Sequence, residues 1–582
     1  MGTEHALRLA ARPDAPAGFL PPVPRFPPIP APPTPKSVKR GQEWQPEVWN
    51  WLPLPREARG SAPPMRPARA AACLAKRGAL TRETEERGRE DRMSRLLAAL
   101  GVAVAWLAGA PEAPVFVVRP YLQAGCSARP GEPAGLTVAW HSPDTPEAQW
   151  SLEVKRRRDG RWEPCPRPEH RRVAVGGIAP YRVWWAEARG LEPGRAFQYR
   201  VLRNGRAVAA ASARAPKRRG QPSRFAILGD CGAGTSGQRR IAYQAWRQHP
   251  DYIFIPGDIV YGRGRVSEYR DNFWPVYLAA RESPATGAPL MASTLFLAAP
   301  GNHDMGARDL GQYPDGLGYF LHWIQPLNGP PLSDGAPGTP RLEGPESARQ
   351  AFRSAAGPAY PRMASFSYDY GDVHWTVIDS NPYLNWDEPA LRRWLEQDIQ
   401  RSGAAWKIVG FHHPGFNSSK SHFGDQWMRA QAPVFERAGA DLVVSGHVHN
   451  YQRTHPLRFT PRTVGQAGTV TGDLSIDRGF DGSDRTRPRG VIYLISGAGG
   501  AGLYNPEQQH RPWTWQPFTA RFFSEKHSFT IVEADAERLE IRQIDADGDE
   551  VDRFTITKTG PMSEVRRTAY PRCLSRRVRT GS

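Results

Sequence analysis

Two patterns of apolar and polar residues divide the chain. Between residues 115 and 216, short runs of alternating apolar and polar residues are separated by Gly and Pro, which is typical of antiparallel strands. The clearest runs are 136–140, 150–154, 182–186 and 197–201. After residue 220, continuous apolar runs alternate with helix-compatible stretches such as 238–248, and this pattern indicates an α/β core.

The alternating region, residues 115–216, has roughly the length of one β-sandwich. Its turn Leu191-Glu-Pro-Gly194, followed by Tyr199, resembles the turn into a late strand of a fibronectin type III module. We therefore predict an all-β, fibronectin-III-like sandwich. No group of side chains in it suggests chemistry, so we interpret it as a structural or positioning domain.

The apolar strands of the second region, residues 220–558, end in polar clusters. The strand ends carry, in chain order, Gly229-Asp230, Gly257-Asp258, Gly301-Asn302-His303-Asp304, His412-His413 and Gly446-His447-Val448-His449. Ligands of α/β sheets bind beyond the carboxyl ends of the strands. We therefore expect these side chains to converge on one rim of the sheets.

The first 113 residues are predicted to lie outside the fold. Residues 1–92 hold 17 prolines and no apolar periodicity, so we expect them to be disordered. Segment 93–113 has a basic start, a short apolar run and Ala108-Gly109-Ala110, the pattern of a signal peptide. We hypothesise that Met93 is the true start and that the protein is secreted or periplasmic, with no membrane span after cleavage. The alternative is a buried hydrophobic helix behind a real tail.

Composition narrows the class of protein. With 40% hydrophobic and 23% charged residues, the chain is neither mostly disordered nor mostly membrane-embedded. The net charge of +19, which includes a basic tail at 559–582, suits a small anionic substrate. No basic patch interleaved with aromatic residues predicts a nucleic-acid-binding module. The oligomeric state is left open.

Five cysteines occur, and none forms a CxxC pair that would suggest a thiolate zinc site. Only Cys126 and Cys165 fall within the predicted sandwich. In an oxidising compartment they could form a disulfide, and two free thiols are the alternative.

The residue types at the strand ends predict a centre of two metal ions. Oxygen donors come from Asp230, Asp258 and Asn302, and nitrogen donors come from the imidazoles of His412, His447 and His449. A mixed oxygen and nitrogen set without thiolate suits iron, manganese or zinc. Six donors exceed the needs of one open tetrahedral site, but they fit two ions about 3.5–4 Å apart that share a bridging carboxylate.

The ordered series of motifs closely resembles the calcineurin-like metallophosphoesterases and, within them, the purple acid phosphatases. The resemblance spans about residues 119–558, including Arg119-Pro-Tyr-Leu-Gln123 and Ser496-Gly-Ala-Gly-Gly500. It implies a four-layer α/β/β/α catalytic domain at 220–558, preceded by a β-sandwich.

The resemblance also implies a ligand set. Asp230, Tyr261 and His449 would hold the first metal, Fe(III). Asn302, His412 and His447 would hold a divalent zinc, iron or manganese ion, and Asp258 would bridge the two. Tyr261 is the discriminating ligand, because a phenolate favours Fe(III) and would give the protein a purple colour. The alternative for Tyr261 is an ordinary aromatic residue at a strand end.

Two further histidines are candidates for catalysis. His303 precedes Asp304, whose carboxylate could orient the imidazole and favour its charged form. His422 matches a second substrate histidine of the plant-type enzymes, and the alternative is a loop histidine in solvent. Either could bind phosphate oxygens, and one could protonate the leaving alkoxide. Asp304 stands where Glu is usual and Gly415 where an aromatic residue is frequent, which affects the expected substrate preference.

The expected activity is hydrolysis of phosphate monoesters, of the acid phosphatase type. A phosphodiesterase acting on nucleotides or phospholipid headgroups is the alternative enzyme, and a surface-binding protein with a vestigial metal site is the alternative outside enzymology. Segment 305–370, rich in Gly and Pro, is expected to be loop-like, to lie over the site and to set substrate choice.

Overall fold

The computed structural model describes residues 114–131, 135–157, 160–465 and 468–559, together with the backbone of 566–569. The predictions for residues 1–92 and for the signal segment 93–113 therefore lie outside the described residues. So does most of the predicted basic tail. Within that tail, residues 566–569 form a strand rather than a simple extension.

The N-terminal region folds into two antiparallel four-stranded sheets. Its strands are β1 (Val118–Gln123), β2 (Thr137–Pro143), β3 (Trp150–Lys155), β4 (Glu163–Pro164), β5 (Glu169–Val173), β6 (Tyr181–Glu187), β7 (Ala196–Arg203) and β8 (Arg206–Arg214). The strand orders are β1-β2-β6-β5 and β4-β3-β7-β8. All four predicted strands are confirmed.

Tryptophans join these two sheets. The ring centroids of Trp140 and Trp150 are 5.8 Å apart, and those of Trp150 and Trp184 are 6.2 Å apart. The three side chains are buried in one apolar cluster to which both sheets contribute. The alternation seen in the sequence thus arises because each strand turns one face towards this cluster. The fibronectin-III-like assignment remains a prediction.

The second region contains two larger sheets and several helices. Its strands are β9 (Ser223–Ile227), β10 (Tyr252–Pro256), β11 (Leu295–Ala299), β12 (Phe366–Tyr370), β13 (Val373–Val377), β14 (Trp406–Gly410), β15 (Leu442–Ser445), β16 (Tyr451–Thr454), β17 (Leu457–Val464), β18 (Val470–Ile476), β19 (Ile492–Ser496), β20 (Thr519–Phe523), β21 (Ser528–Ala534), β22 (Arg538–Asp545), β23 (Glu550–Thr557) and β24 (Arg566–Ala569). Its α-helices are α1 (Ser236–Arg247), α2 (Val266–Glu268), α3 (Trp274–Tyr277), α4 (Leu290–Ser293), α5 (Gly318–His322), α6 (Glu346–Ala356), α7 (Pro389–Arg401) and α8 (Ala432–Ala438).

Both large sheets are mixed. The first sheet has the order β11-β10-β9-β21-β22-β23, and the second has the order β12-β13-β14-β15-β19-β16-β20. Strands β9, β10 and β11 run parallel, as do β13, β14, β15 and β19. Strand β24 adds to a small sheet of β17 and β18. The parallel strands are those whose ends carry the polar clusters.

The two large sheets pack face to face through aromatic side chains. The rings of Phe254 in the first sheet and Trp375 in the second are 4.4 Å apart, and Phe225 approaches Trp375 edge-on at 5.6 Å. All three are fully buried. Each such side chain contributes roughly 1.5–3 kcal/mol by leaving water. Strands buried on both faces explain the continuous apolar runs in the sequence.

Helices cover the outer faces. Helix α1 begins at the N-cap Thr235, whose side chain accepts a hydrogen bond from the Gln238 amide, and it buries Ile241 and Ala245 against the first sheet. Helices α7 and α8 cover the second sheet, where Phe411 and Phe435 stack at 5.9 Å. The order helix, sheet, sheet, helix confirms the predicted α/β/β/α arrangement.

Segment 305–370 is more structured than predicted. It contains α5, α6 and the strand Phe366–Tyr370, so the expectation of a loop-like segment is wrong for these residues. Residues 305–317 and 323–345 contain no helix or strand, as expected. The Arg171 guanidinium donates hydrogen bonds to the carbonyls of Phe320, Trp323 and Ala356, and so holds the carboxyl ends of α5 and α6. The Gly and Pro content of the segment favoured the prediction of a loop, because these short helices depend on tertiary contacts.

Of the two alternatives for Cys126 and Cys165, a disulfide and two free thiols, the structure has the free thiols. Cys126 follows β1, and its carbonyl accepts a hydrogen bond from Leu327, whereas Cys165 follows β4 and its amide donates to Leu152. The two residues thus lie on different sheets. Within the described ranges, no helix is both long and apolar enough to cross a membrane.

Candidate metal centre

Sharp turns after the parallel strands bring the polar clusters together. Asp230, Asp258 and His447 all adopt positive φ angles, of 56°, 49° and 69°. Side chains other than glycine rarely take this conformation, and such strain is concentrated at functional sites. At Gly301, a Cβ atom would lie 2.1 Å from Oδ1 of Asp258, so only glycine allows this approach. Backbone geometry as well as chemistry thus limits which residues can occupy these turns.

The first group of side chains lies around Asp230, which is fully buried. The Tyr261 hydroxyl is 3.1 Å from Oδ1 of Asp230 and 2.8 Å from Nε2 of His449. The same His449 nitrogen is 3.5 Å from Asp230. Because Nδ1 of His449 donates to the Gly502 carbonyl at 2.6 Å, Nε2 is the nitrogen that faces the group.

The second group lies around His412. Its Nε2 is 3.0 Å from Oδ1 of Asn302, 3.3 Å from Oδ1 of Asp258 and 3.2 Å from Nδ1 of His447. Nδ1 of His412 donates to the carbonyl of Pro256 at 2.9 Å. A hydrogen-bonded outer nitrogen of this kind orients a metal-binding histidine. Asp258 thus contacts the second group while its turn lies beside Asp230.

The donor set fits cations. Asp230 and Asp258 are buried, and their ion-pair partners among the described residues are histidines, not Lys or Arg. Burial disfavours a charged imidazole at His412, but the two carboxylates outweigh it and raise the pKa of His412 to about 9. Burial lowers the pKa of His447 to about 4 and that of His449 to about 3, which keeps these imidazoles neutral. The site therefore attracts positive charge and offers neutral nitrogen donors to a metal.

Three groups of side chains have donor atoms close enough to share an ion. In each of them the donor atoms lie within 4.8 Å of one another. The groups are Asp230, Asp258 and His449; His412, His413 and His447; and His422, Asp425 and His447. All seven predicted ligands thus lie in one cluster, and their roles as ligands stay a prediction. His413 is held by Ser380, whose hydroxyl lies 2.9 Å from its Nδ1.

His303 lies at this cluster, but Asp304 does not orient it. Nδ1 of His303 donates to the Gly262 carbonyl at 2.7 Å, and Nε2 is 3.9 Å from Asp258. The Asp304 carboxylate points inward and accepts from the amides of Ile259 and Gly301. The prediction that Asp304 orients His303 is therefore wrong. The side chains of these adjacent residues point in opposite directions. Through its hydrogen bonds, Asp304 connects the turn after β10 to the turn after β11.

His422 also lies at the cluster and is not a loop histidine in solvent. Its ring centroid is 4.1 Å from that of His447. Nδ1 of His422 is 3.0 Å from Oδ2 of Asp425, and the same oxygen is 3.1 Å from Nε2 of His447. Burial acts to raise the pKa of Asp425, but these hydrogen bonds outweigh it and hold the pKa below its usual range.

Two residues of the site were not predicted from the sequence. Asp425 follows His422 by three residues, with Gly424 between them. This spacing is typical of a turn and was the sequence feature that could have predicted their contact. Tyr504 stacks on His449 with ring centroids 4.0 Å apart and an interplanar angle of 10°. No local motif marks Tyr504, because the tertiary fold alone brings it to His449.

Part of this chain is similar to known proteins. Residues 223–451 match calcineurin-like phosphoesterase. Purple acid phosphatase 21 of Arabidopsis thaliana is 24% identical over 242 residues, which are 40% of this chain and 46% of the relative. An uncharacterised protein of Mycobacterium tuberculosis is 26% identical over 345 residues, 55% of this chain and 58% of the relative. The chain thus spans about half the length of these curated relatives.

A solved structure shares the fold. Purple acid phosphatase PPD1 from seeds of yellow lupin, Lupinus luteus, aligns with a TM-score of 0.54 at 17% identity. The alignment covers 76% of this chain and 75% of the lupin chain. At this sequence identity, the similarity shows a shared fold only.

Proposed function

We propose that this chain, whose residues 223–451 match calcineurin-like phosphoesterase and which is similar to purple acid phosphatases, is a metal-dependent phosphatase that hydrolyses phosphate monoesters. The observation that carries the proposal is the convergence of carboxylate, amide, phenol and imidazole donors from five strand ends. A site that had lost its function would be expected to lack at least one of them.

The proposed ligand sets follow the two groups of side chains. Asp230, Tyr261 and His449 would hold Fe(III), since a buried phenol oxygen is a hard donor that favours a trivalent ion. Asn302, His412 and His447 would hold divalent zinc, iron or manganese, with Asp258 shared between the two positions. The distances of 2.8–3.5 Å among these donors support this division.

Two ions held there would supply Lewis-acid polarisation of the phosphate ester and acidification of water at the site. The chain's own residues would orient and protonate the substrate. His303 is anchored through Nδ1, which leaves Nε2 to donate to a phosphate oxygen or to the leaving alkoxide. His422 is anchored through Nδ1 in the same way.

The test is hydrolysis of matched chromogenic monoester and diester substrates by the metal-loaded protein. We expect turnover of the monoester, and its loss in His303→Ala with the metals retained. Asp473→Asn is the control, since Asp473 on β18 is an exposed carboxylate paired with Arg462 on β17, away from the strand ends that carry the site. Turnover of the diester alone would identify the protein as a phosphodiesterase instead, and no turnover of either would refute the enzyme assignment.

We further propose that residues 115–216 position the catalytic domain at 220–558, and that the protein is exported. Export is inferred from the signal-like segment 93–113 alone. N-terminal sequencing of the natural mature protein tests it, because a mature chain that retains residues before Met93 would contradict both cleavage and the proposed start.

A further inference from the structure

A single carboxylate oxygen joins two histidines of the metal centre. Oδ2 of Asp425 lies 3.1 Å from Nε2 of His447 and 3.0 Å from Nδ1 of His422. We propose that Asp425 is a positioning residue, which fixes His447 as an Nδ1 ligand of the divalent ion and holds His422 beside that ion. This inference rests on the proposed function and deepens it, since it connects the ligand set to the substrate side of the site.

The contact with Asp425 assigns different roles to the two nitrogens of His447. An ionised carboxylate only accepts hydrogen bonds, so Nε2 of His447 must carry the hydrogen that points to Asp425. In the neutral imidazole, the lone pair is then on Nδ1. Nδ1 is the nitrogen that lies 3.2 Å from Nε2 of His412, inside the second group of donors. A carboxylate behind a ligating histidine also raises the basicity of the ligand and fixes its ring.

His422 lies in a turn that Asp425 closes. His422 has a positive φ of 57°, and the amide of Asp425 donates to the His422 carbonyl at 3.2 Å. The Asp425 side chain closes the same turn through Nδ1 of His422. With Nδ1 occupied, Nε2 is the nitrogen left for a phosphate ester. The Asp425 contact therefore determines which His422 nitrogen serves the substrate.

The turn is held from its other end by a separate contact. The Ser421 amide donates to Oδ1 of Asn505 at 3.0 Å, and Nδ2 of Asn417 donates to the Ser421 carbonyl at 3.0 Å. Loss of the Asp425 carboxylate would thus leave the backbone of the turn anchored. The effect of replacing Asp425 should fall on the two imidazoles rather than on the fold.

The experiment compares Zn(II) affinity among variants of the full chain loaded with iron and zinc. Chelator competition gives the Kd of Zn(II), and elemental analysis reports the iron retained. We expect Asp425→Asn to weaken Zn(II) binding by about 10- to 100-fold, the usual cost of losing such a partner, with iron unchanged. Asp425→Glu keeps an acceptor and should recover most of the affinity. His422→Ala should leave the Kd near wild type, because Asp425 still accepts from His447.

Two controls separate positioning from unfolding. Glu507→Gln removes an exposed carboxylate that pairs with Lys420 beside the turn, and it should leave the Zn(II) Kd unchanged. The melting temperatures of the metal-free variants should agree within about 2 °C, a shift that for roughly 450 folded residues corresponds to about 2 kcal/mol.

The outcomes distinguish this inference from the proposed function. If wild type binds two metals and Asp425→Asn keeps both with an unchanged Zn(II) Kd, the inference is refuted and the phosphatase proposal stands. If wild type takes up a third equivalent that Asp425→Asn loses, Asp425 is itself a ligand, and the inference is again refuted. If wild type binds no metal, both proposals fail.

Discussion

The most quantitative prediction concerns His374, a buried histidine outside the metal centre. Its Nδ1 is 2.6 Å from Asp369 and its Nε2 is 3.2 Å from Asp398, so it joins β12, β13 and α7. Only 1% of its side chain is exposed. Burial alone would lower its pKa, but the hydrogen bonds that the imidazole donates to the two carboxylates, together with their charge, outweigh burial and raise the pKa of His374 to about 9.

The sign and size of the effect follow from the two protonation states. A pKa near 9 in the folded state and 6.5 in the unfolded state means that the folded protein binds the proton more tightly. The stabilisation is fully present below pH 6.5 and is lost as the pH rises through 9. At about 1.4 kcal/mol per pH unit, the loss amounts to about 3 kcal/mol.

The assay is urea unfolding of wild type and His374→Gln at pH 6 and pH 9.5, followed by tryptophan fluorescence. The difference in free energy of unfolding between the two proteins should shrink by about 3 kcal/mol at the higher pH, because the glutamine side chain does not titrate. A difference that stays constant with pH would show that His374 is neutral in the fold and would refute the reasoning.

Three further predictions address colour, packing and thiols. Tyr261→Phe should bleach a broad visible absorption band of the iron-loaded protein while iron remains measurable; a colourless wild type carrying iron would show that the tyrosine is not a ligand. Arg171→Gln should lower the free energy of unfolding by about 2–4 kcal/mol, because three carbonyls lose a charged donor. The control Arg172→Gln, which removes an exposed ion pair with Asp144, should lower it by less than about 1 kcal/mol. Equal losses of free energy for the two variants in denaturation experiments would contradict this prediction. Cys126 and Cys165 should both react with an alkylating agent in the unreduced, unfolded protein, and a mass that shows both thiols protected would contradict the free cysteines.

The sequence predicted those features that depend on strand burial. Continuous apolar runs at 252–255 and 442–444 lie in strands buried between layers, and this pattern requires no tertiary information to recognise. The convergence of Asp258 and His447 followed because parallel strands present their carboxyl ends at the same edge of a sheet. The fold class and the donor cluster could therefore be predicted together.

Other features depended on side-chain directions and tertiary contacts, which the spacing of residues in the sequence does not determine. Asp304 is adjacent to His303, yet its side chain turns inward to bind the amide of Ile259. The helix Glu346–Ala356 lies in a segment whose Gly and Pro content favoured a loop. Asp425 reaches His447, 22 residues away, only because the intervening chain folds back. In each case tertiary contacts outweighed the local signal.

The central claim is that the strand ends hold two metal ions with Asp258 between them. The most direct measurement is the metal content per chain of wild type and Asp258→Asn, by elemental analysis after loading with iron and zinc and removal of free metal. The account predicts two equivalents in wild type and loss from both positions in Asp258→Asn, because the one carboxylate serves both groups of donors. Wild type with fewer than two equivalents, or Asp258→Asn with two full equivalents, would contradict it.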